Sequence, residues 1–356
     1  MQTIDAVGVA IVGYGLAGRE IHGRLLAATP GLRVTAIVTA NPQRQAAARA
    51  DFPDALILSR IEELWSHRDE CDLVVVATAT GAHVAVATAA LDAGLAVVVE
   101  KPLAATAAAA RALVAHAARR EVLLVPFLNR RWDSDHLTVT RLLAEGSLGT
   151  VLRYESRFER WRPSPAPGAW REEAEPEQGG GVLLDLGAHL VDQAITLFGP
   201  VEHVYAEVLS RRGGADDDVF MALEHQSGVV AHLWASALAA APGPRLRVLG
   251  SRAAYVVDGL DAQESALRAG HRPDEPGFAA EPEDRWGWLV RGDEREPVPS
   301  AEGRWRDFYT GLQRCLREGA APPVAADDAV RDLEVLDAAR ESGRRGVVVN
   351  LGTGSG

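Results

Sequence analysis

The chain has 356 residues, 47% hydrophobic and 24% charged, with a formal net charge of -12, which predicts a globular protein of two domains and excludes a disordered or fibrous one. This negative charge, without a stripe of Lys or Arg, argues against nucleic acid or membrane partners, and no apolar run approaches the roughly 18 residues of a membrane span. Cys71 and Cys315 lack the spacing of a disulfide framework or thiolate metal site, and we expect a cytoplasmic protein without a leader.

The first part of the chain alternates short β-branched runs with Ala-rich amphipathic stretches, a pattern typical of parallel strands joined by helices. Strands are predicted at Val7–Val12, Val34–Val38, Leu73–Ala77, Ala96–Val99 and Val122–Val125. Helices are predicted at Arg19–Ala28, Pro42–Ala50, His83–Ala93 and Thr106–Arg120. We therefore expect an α/β Rossmann domain, a doubly wound parallel sheet, over residues 1–126.

Residues 127–356 are predicted to form a second, α+β domain. Its pattern is that of a mainly antiparallel sheet wetted on one face. The predicted strands are Val151–Arg160, a hairpin of Phe220–His225 and Val229–Trp234, Arg245–Leu249 and Ala254–Val257. Gly259–Pro299 is rich in Pro, Gly and charge and predicts a long surface excursion. The last helices, Trp305–Glu318 and Asp327–Glu341, are expected to pack back on the first domain.

A glycine-rich motif follows the first strand directly and opens a helix. It reads Gly13-Tyr14-Gly15-Leu16-Ala17-Gly18. A GxGxxG pattern in this context predicts a turn whose backbone approaches a pyrophosphate at the helix N-terminus. We therefore predict a dinucleotide site that includes Gly13, Tyr14, Gly15, Leu16 and Ala17.

The end of the second strand bears on the choice between NAD and NADP. An NAD site usually has a carboxylate here for the ribose 2'-hydroxyl, but this strand ends in Thr39. Asn41 and Arg44 follow, and no carboxylate occurs before Asp51. A hydroxyl and a guanidinium suit a 2'-phosphate, so NAD(P) with a preference for NADP is predicted. The alternative is that Arg44 is a solvated helix residue.

Glu100-Lys101-Pro102 stands just after a strand, at the edge where open α/β sheets bind ligands. Lys101 is expected to polarise a substrate oxygen, and a cis peptide before Pro102 would direct it into the cleft. The alternative is a surface lysine at a strand end.

Asp185, His189 and Asp192 have helical spacing and are predicted to share one face after the run Gly179-Gly180-Gly181. Alcohol oxidation needs a base near neutral pH, a role that suits His189 with Asp185 orienting it. The alternative is a solvated or structural polar row. No zinc-binding pattern or GxSxG elbow is present, so we expect neither a metal nor hydrolase chemistry.

These motifs, in this order, resemble those of the Gfo/Idh/MocA family, the glucose-fructose oxidoreductase and inositol dehydrogenase type. The resemblance implies that Lys101, Asp185 and His189 are catalytic and that Asp192 contacts substrate. It also implies that the second domain, residues 127–356, is built on a large, open, mainly antiparallel sheet, that it binds substrate, and that homodimers or homotetramers form through this sheet. The segments Asn129–Asp135 and Asp185–Gln193 are most similar to the NADP-dependent scyllo-inositol dehydrogenase branch.

The same resemblance extends the expected contacts. Further cofactor contacts are expected at Ala77, Thr78, Thr80, His83, Glu100, Lys101 and Asn129. Thr78-Ala79-Thr80 departs from the Thr-Pro-Asn of many relatives, which leaves adenosine-side contacts open. Arg160, Trp161, Trp170 and Arg171 are expected to close over a polyol.

The sequence thus predicts an oxidoreductase that moves a hydride between a nicotinamide and a hydroxyl-bearing carbon of a cyclic polyol or sugar. Two alternatives stay open: an aldose or deoxysugar ketoreductase with the same machinery, and a non-catalytic regulator that senses the cofactor. The intact Lys101, Asp185 and His189 argue against the regulator.

Overall fold

The computed structural model describes residues 6–164, 174 and 178–352, which form two β-sheets. The first sheet has six parallel strands in the order β3-β2-β1-β4-β5-β6, which confirms the doubly wound fold. Its strands are β1 (Val7–Val12), β2 (Leu32–Val38), β3 (Leu56–Leu58), β4 (Leu73–Val76), β5 (Ala96–Glu100) and β6 (Leu124–Phe127).

Helices cover both faces of this sheet, which explains why β4 and β5 are buried at every position. Thr106 caps the last of these helices by accepting a hydrogen bond from the Ala109 amide at 3.3 Å. The helices are α1 (Arg24–Ala27, entered through a π-helical turn at Ala17–Gly23), α2 (Pro42–Asp51), α3 (Ile61–Leu64, continued as a 3-10 turn at Trp65–Glu70), α4 (Thr80–Asp92) and α5 (Ala107–Arg120).

The second sheet has nine strands in the order β14-β13-β12-β11-β7-β10-β9-β8-β15. β7 and β10 pair in parallel and the other neighbours are antiparallel, which confirms the large, mainly antiparallel sheet. Its strands are β7 (Val151–Glu159), β8 (Val201–Leu209), β9 (Asp218–His225), β10 (Val230–Ser236), β11 (Leu246–Gly250), β12 (Ala254–Val257), β13 (Gly287–Arg291), β14 (Glu294–Val298) and β15 (Val349–Asn350).

The helices of the second half connect the two sheets. They are α6 (Ser134–Ala144), α7 (Ala188–Phe198, entered through a π-helical turn at Leu183–Gly187), α8 (Gln263–Arg268), α9 (Arg306–Glu318) and α10 (Ala326–Arg345). From α9, Phe308, Tyr309 and Leu312 join the apolar core beneath β1, while α10 contacts both α5 and β8. No described helix combines the length and apolar character needed to cross a membrane.

The predicted surface excursion over residues 259–299 is mostly exposed, but it also has regular elements and buried residues. It contains α8, β13 and β14, and Leu267 is fully buried. Asp261 and Gln263 are also buried, because Asp261 accepts a hydrogen bond from the Ser134 amide at 2.7 Å and Gln263 donates to the Trp132 carbonyl at 3.1 Å. Composition misled here because polar side chains can be buried when their hydrogen bonds are made.

Candidate active site

The glycine-rich loop joins β1 to the π-helical turn before α1. Gly13 has a φ of 97°, which favours glycine, and a Cβ there would collide with the Ala77 carbonyl. A Cβ on Gly18 would collide with the Gly13 carbonyl. On Gly15 the nearest atom would be the Arg44 guanidinium at 3.6 Å, an ordinary contact. Packing therefore demands glycine at two positions, while the space above Gly15 is open to a ligand.

The segment after β2 places Arg44 over this loop. Thr39 is 7% exposed, and the Asn41 side chain caps α2 by accepting a hydrogen bond from the Arg44 amide at 3.1 Å. Among the described residues, no carboxylate pairs with the Arg44 guanidinium. The cap thus fixes a cationic side chain beside Gly15 and leaves it available to an anion.

Asp51, the first carboxylate after β2, has other partners. It accepts hydrogen bonds from the Tyr14 hydroxyl at 2.9 Å and from Arg19 at 2.7 Å. The Tyr14 side chain is buried in the core behind the loop. Tyr14 can therefore serve a dinucleotide through its backbone, not its ring.

Lys101 follows β5, and the peptide bond between Lys101 and Pro102 is cis, which confirms that prediction. Its Nζ donates to Oδ1 of Asp185 at 2.9 Å and to the Asp185 carbonyl at 2.5 Å. Asp185 lies in the π-helical turn before α7, so one member of the pair comes from each domain. Both side chains are partly exposed, and both line the cleft.

His189, in the first turn of α7, lines the same cleft and is 7% exposed. Burial, and then the positive charges of Lys101 and Arg130, hold the pKa of His189 well below its ordinary value. The imidazole is therefore neutral at physiological pH and can accept a proton.

Glu100 is oriented by a buried chain of hydrogen bonds. Its Oε1 lies 3.1 Å from Nε2 of His22, and Nδ1 of His22 lies 2.6 Å from the Tyr309 hydroxyl. Its Oε2 accepts from the Lys101 amide at 3.0 Å. Burial opposes ionisation, but the His22 bond and the Lys101 charge outweigh it and hold the pKa of Glu100 below its usual range. The chain presents an ionised carboxylate beside Lys101.

His83 ties two loops together beneath the site. Its Nδ1 lies 2.9 Å from the Pro102 carbonyl and its Nε2 lies 3.2 Å from the Thr78 carbonyl. Burial lowers the pKa of His83, and a neutral imidazole can donate only one of these bonds at a time. Ala77 and Thr80 are buried nearby. His83 therefore has a positioning role, without exposure to the cleft.

A cleft of about 650 Å³ is lined by Glu100, Lys101, Asp185 and His189, but not by Thr39, Asn41, Arg44 or His83. Of the residues predicted from sequence, it brings together Leu16, Ala17, Glu100, Lys101, Asn129, Arg160, Asp185 and His189. Further residues that line it were not predicted as site residues: Arg130, Arg162, Arg212, Asp216, Glu264 and Trp305. No group of three His, Cys, Asp or Glu within the described ranges could hold a metal ion.

Asp192 is not among the residues that line the cleft. Arg131 donates to both of its carboxylate oxygens, at 2.6 and 3.1 Å, and Asp192 is 2% exposed. The substrate contact expected at Asp192 stays a prediction: Asp192 follows His189 by one turn of the same α-helix, but its carboxylate is paired with Arg131 and does not line the cleft. Trp170 and Arg171 lie outside the described residues.

His22 and Tyr309 are functional candidates that sequence reasoning missed. They lie 287 residues apart in the chain, so no local pattern could pair them. One signal was available, since His22 is a polar residue within the apolar helix that follows the glycine motif.

Two family models match the chain. The model described as an oxidoreductase family with an NAD-binding Rossmann fold matches residues 7–127, and the GFO/IDH/MocA C-terminal domain matches residues 136–256. The scyllo-inositol 2-dehydrogenase (NADP(+)) IolW of Bacillus subtilis (strain 168) is 35% identical over 96% of this chain and 95% of its own length. The D-apiose dehydrogenase of Paraburkholderia graminis is 28% identical over 98% of this chain and 91% of its own.

Solved structures agree with this relationship. The triclinic crystal structure of yvaA from Bacillus subtilis superposes with a TM-score of 0.90 at 32% identity, covering 99% of this chain and 100% of that one. An oxidoreductase from Bacillus cereus superposes with a TM-score of 0.85 at 25% identity, covering 98% and 99% of the two chains.

Proposed function

This chain belongs to the GFO/IDH/MocA family of oxidoreductases, and from that premise we propose that it transfers a hydride between NADP and a hydroxyl-bearing carbon of a cyclic polyol or sugar. The observation that carries the proposal is the Lys101–Asp185 pair beside a neutral His189 in one cleft. Alcohol oxidation needs a group that takes the hydroxyl proton and a donor that stabilises the oxygen. These residues supply both.

The loop at the mouth of the cleft suits a dinucleotide. Gly15 leaves a space that a Cβ would fill, and the amides at the start of the following helix favour a phosphate. When bound, the nicotinamide supplies the hydride acceptor or donor. Leu16, Ala17 and Asn129 line the cleft and would hold it there.

The side chains divide the proton and charge chemistry. A ring nitrogen of His189 takes the proton of the substrate hydroxyl, because its imidazole is neutral. The Lys101 ammonium donates a hydrogen bond to the substrate oxygen as negative charge develops there. Asp185 holds Lys101 in position through the 2.9 Å bond. Reduction uses the same groups in reverse.

The preference for NADP rests on Thr39 and Arg44. A threonine stands where a carboxylate would repel a 2'-phosphate, and the Arg44 guanidinium beside Gly15 lacks a carboxylate partner among the described residues. The relative IolW is named as NADP(+)-dependent, which agrees.

The polyol or sugar class is supported by the names of relatives, which include dehydrogenases of scyllo-inositol and D-apiose. The test is a screen of inositols, aldoses and deoxysugars with NADP and with NAD, followed by the absorbance of the reduced nicotinamide. We expect turnover of at least one cyclic polyol or sugar, faster with NADP. If no compound in the panel is oxidised by an enzyme that binds NADP, the proposal is wrong.

We also propose a homo-oligomer formed through the outer face of the second sheet. Along β9 and β10 the alternate face that is not fully buried carries Phe220, His232 and Trp234, whose rings contact one another. These rings are half-buried in the single chain, and a partner's sheet could cover the part that remains exposed. Sedimentation velocity tests it, and a monomer at micromolar concentration would contradict it.

A further inference from the structure

Arg160 has an unusual environment on the substrate side of the cleft. It follows β7 directly, lines the cleft and is half-buried. Burial, with the nearby charges of Arg162 and Arg130, lowers the pKa of its guanidinium. Arginine nevertheless stays protonated in proteins, so a full positive charge is held in a partly dehydrated place.

Other arginines that line the cleft have carboxylate partners. Their ion pairs are Arg130–Asp133 at 3.0 Å, Arg212–Asp217 at 3.0 Å and Arg285–Glu281 at 3.3 Å. Arg160 differs: within residues 6–164, 174 and 178–352, no side chain forms an ion pair or hydrogen bond with its guanidinium. The described part of the chain thus places a cation at the cleft without an ion-pair partner.

We propose that Arg160 binds an anionic substituent, a carboxylate or a phosphate group, carried by the hydroxylated substrate. The inference rests on the proposed function and narrows its substrate class to acidic sugars and polyols or their phosphates. A half-buried guanidinium has lost part of its hydration, and a carboxylate or phosphate would replace it through two parallel charge-assisted hydrogen bonds.

The position of Arg160 relative to the reacting groups limits where the substituent lies. Among nearby carboxylates, Asp185 has the largest electrostatic effect on Arg160, and Asp185 also holds Lys101 at 2.9 Å. An anion at Arg160 would therefore lie in the same cleft as the oxygen that Lys101 polarises.

Two further arginine residues lie near Arg160. Arg212 donates to the Arg162 carbonyl at 2.9 Å, which holds a second and a third guanidinium-bearing residue beside Arg160. The Arg130–Glu264 pair, at 3.2 Å, is also near Arg160, because both charges influence the pKa of its guanidinium.

The test compares matched neutral and anionic compounds with wild type and Arg160→Gln. The pairs are D-glucose with D-glucuronate, D-glucose with a glucose monophosphate, and myo-inositol with an inositol monophosphate. We expect wild type to have a higher kcat/KM for the anionic member of at least one pair. Arg160→Gln should lower that value roughly ten- to hundredfold, as for loss of a charge-assisted hydrogen bond, and the neutral one by less than about threefold. A preference for D-glucuronate over D-glucose indicates a carboxylate site, and a preference for a monophosphate over its neutral partner indicates a phosphate site.

Arg314→Gln is the control, because Arg314 lies on α9 with 62% of its side chain exposed and loses the same charge. Equal losses for neutral and anionic compounds in Arg160→Gln would overturn the anion site while leaving the proposed function intact.

A calorimetric titration of NADPH-loaded enzyme with D-glucuronate and the glucose monophosphate gives a readout independent of turnover. Suppose that wild type binds an anionic compound, that Arg160→Gln abolishes this binding, and that no compound is oxidised. This result would support the anion site and overturn the proposed function. If the enzyme neither binds an anionic compound nor prefers one as a substrate, the proposed anion site is wrong.

Discussion

At the scale of single residues, the neutral state of His189 makes a prediction about pH. Burial, then Lys101 and Arg130, lower its pKa, so alcohol oxidation should persist as pH falls through about 6.5, the ordinary value for histidine. The acid limb of kcat/KM should lie well below that value. A pH profile of wild type measures it. A limb at or above the ordinary value would mean that His189 is not the base, or is not shielded as described.

The same shift affects stability. The unfolded chain protonates this histidine as pH falls below about 6.5, while the folded chain does not. The depressed pKa therefore contributes stability above that pH that is lost as the solution becomes more acidic. In urea titrations, wild type should lose more stability between neutral and mildly acidic pH than His189→Ala does. If the free energy of unfolding changes with pH to the same extent in both proteins, the pKa of His189 is not lowered by folding.

The cofactor preference depends on two residues. Thr39→Asp should weaken NADP use and improve NAD use, because a carboxylate repels the 2'-phosphate of NADP and accepts hydrogen bonds from the ribose hydroxyls of NAD. Arg44→Ala should weaken NADP selectively, by roughly 1.5 to 3 kcal/mol if one charge-assisted hydrogen bond is lost. The ratio of kcat/KM for the two cofactors measures both. A wild type that favours NAD, unaffected by Arg44→Ala, would show that this strand end is not a phosphate site.

At the scale of elements, two glycines of the loop after β1 should have different roles: Gly18 is required for packing, and Gly15 for cofactor binding. Gly18→Ala should destabilise the apo protein by roughly 1 to 3 kcal/mol, because its Cβ meets the Gly13 carbonyl. Gly15→Ala should change stability by less than about 0.5 kcal/mol, since its Cβ meets only Arg44 at 3.6 Å, yet should weaken NADPH binding. Urea unfolding and fluorescence titration test the pair. Equal losses of stability would mean that Gly15 is also demanded by packing.

The elements also show how far sequence patterns reach. Strand β1 was predicted to the residue, because its apolar run is bounded by the glycine turn. Strand β14, Glu294–Val298, was not predicted, because its sequence is polar and contains a proline. The strand forms nevertheless, because it lies at the edge of the sheet and pairs on one side only. Helix α4 begins at Thr80, three residues before the predicted start at His83.

The site was predictable where a residue's chemistry and a neighbouring motif coincide. Lys101 follows a strand and precedes proline, and Asp185 and His189 follow a glycine run. The pairing of Asp192 with Arg131, 61 residues earlier in the chain, could not be predicted from the helical spacing. The lack of a described partner for Arg160 is a tertiary fact that no local pattern contains.

At the scale of the molecule, α9 ties the C-terminal part of the chain to the cofactor domain. Tyr309→Phe would leave Nδ1 of His22 without its 2.6 Å partner in a buried site. We expect a loss of roughly 1 to 3 kcal/mol in the free energy of unfolding. Tyr205→Phe, which removes an exposed hydroxyl bond to Glu207, is the matched control and should be near neutral. If both variants are as stable as wild type, the buried chain does not stabilise the docking of α9.

The most direct test of the account follows the hydrogen itself. The best substrate from the screen, deuterated at the reacting carbon, is oxidised by wild type, Lys101→Met and His189→Ala with NADP present. The account predicts deuterium on the reduced nicotinamide and turnover lowered on the order of a hundredfold or more in both variants, with melting temperatures little changed. Reduced cofactor without deuterium, or wild-type turnover in both variants, would contradict the assignment of this cleft to hydride transfer assisted by Lys101 and His189.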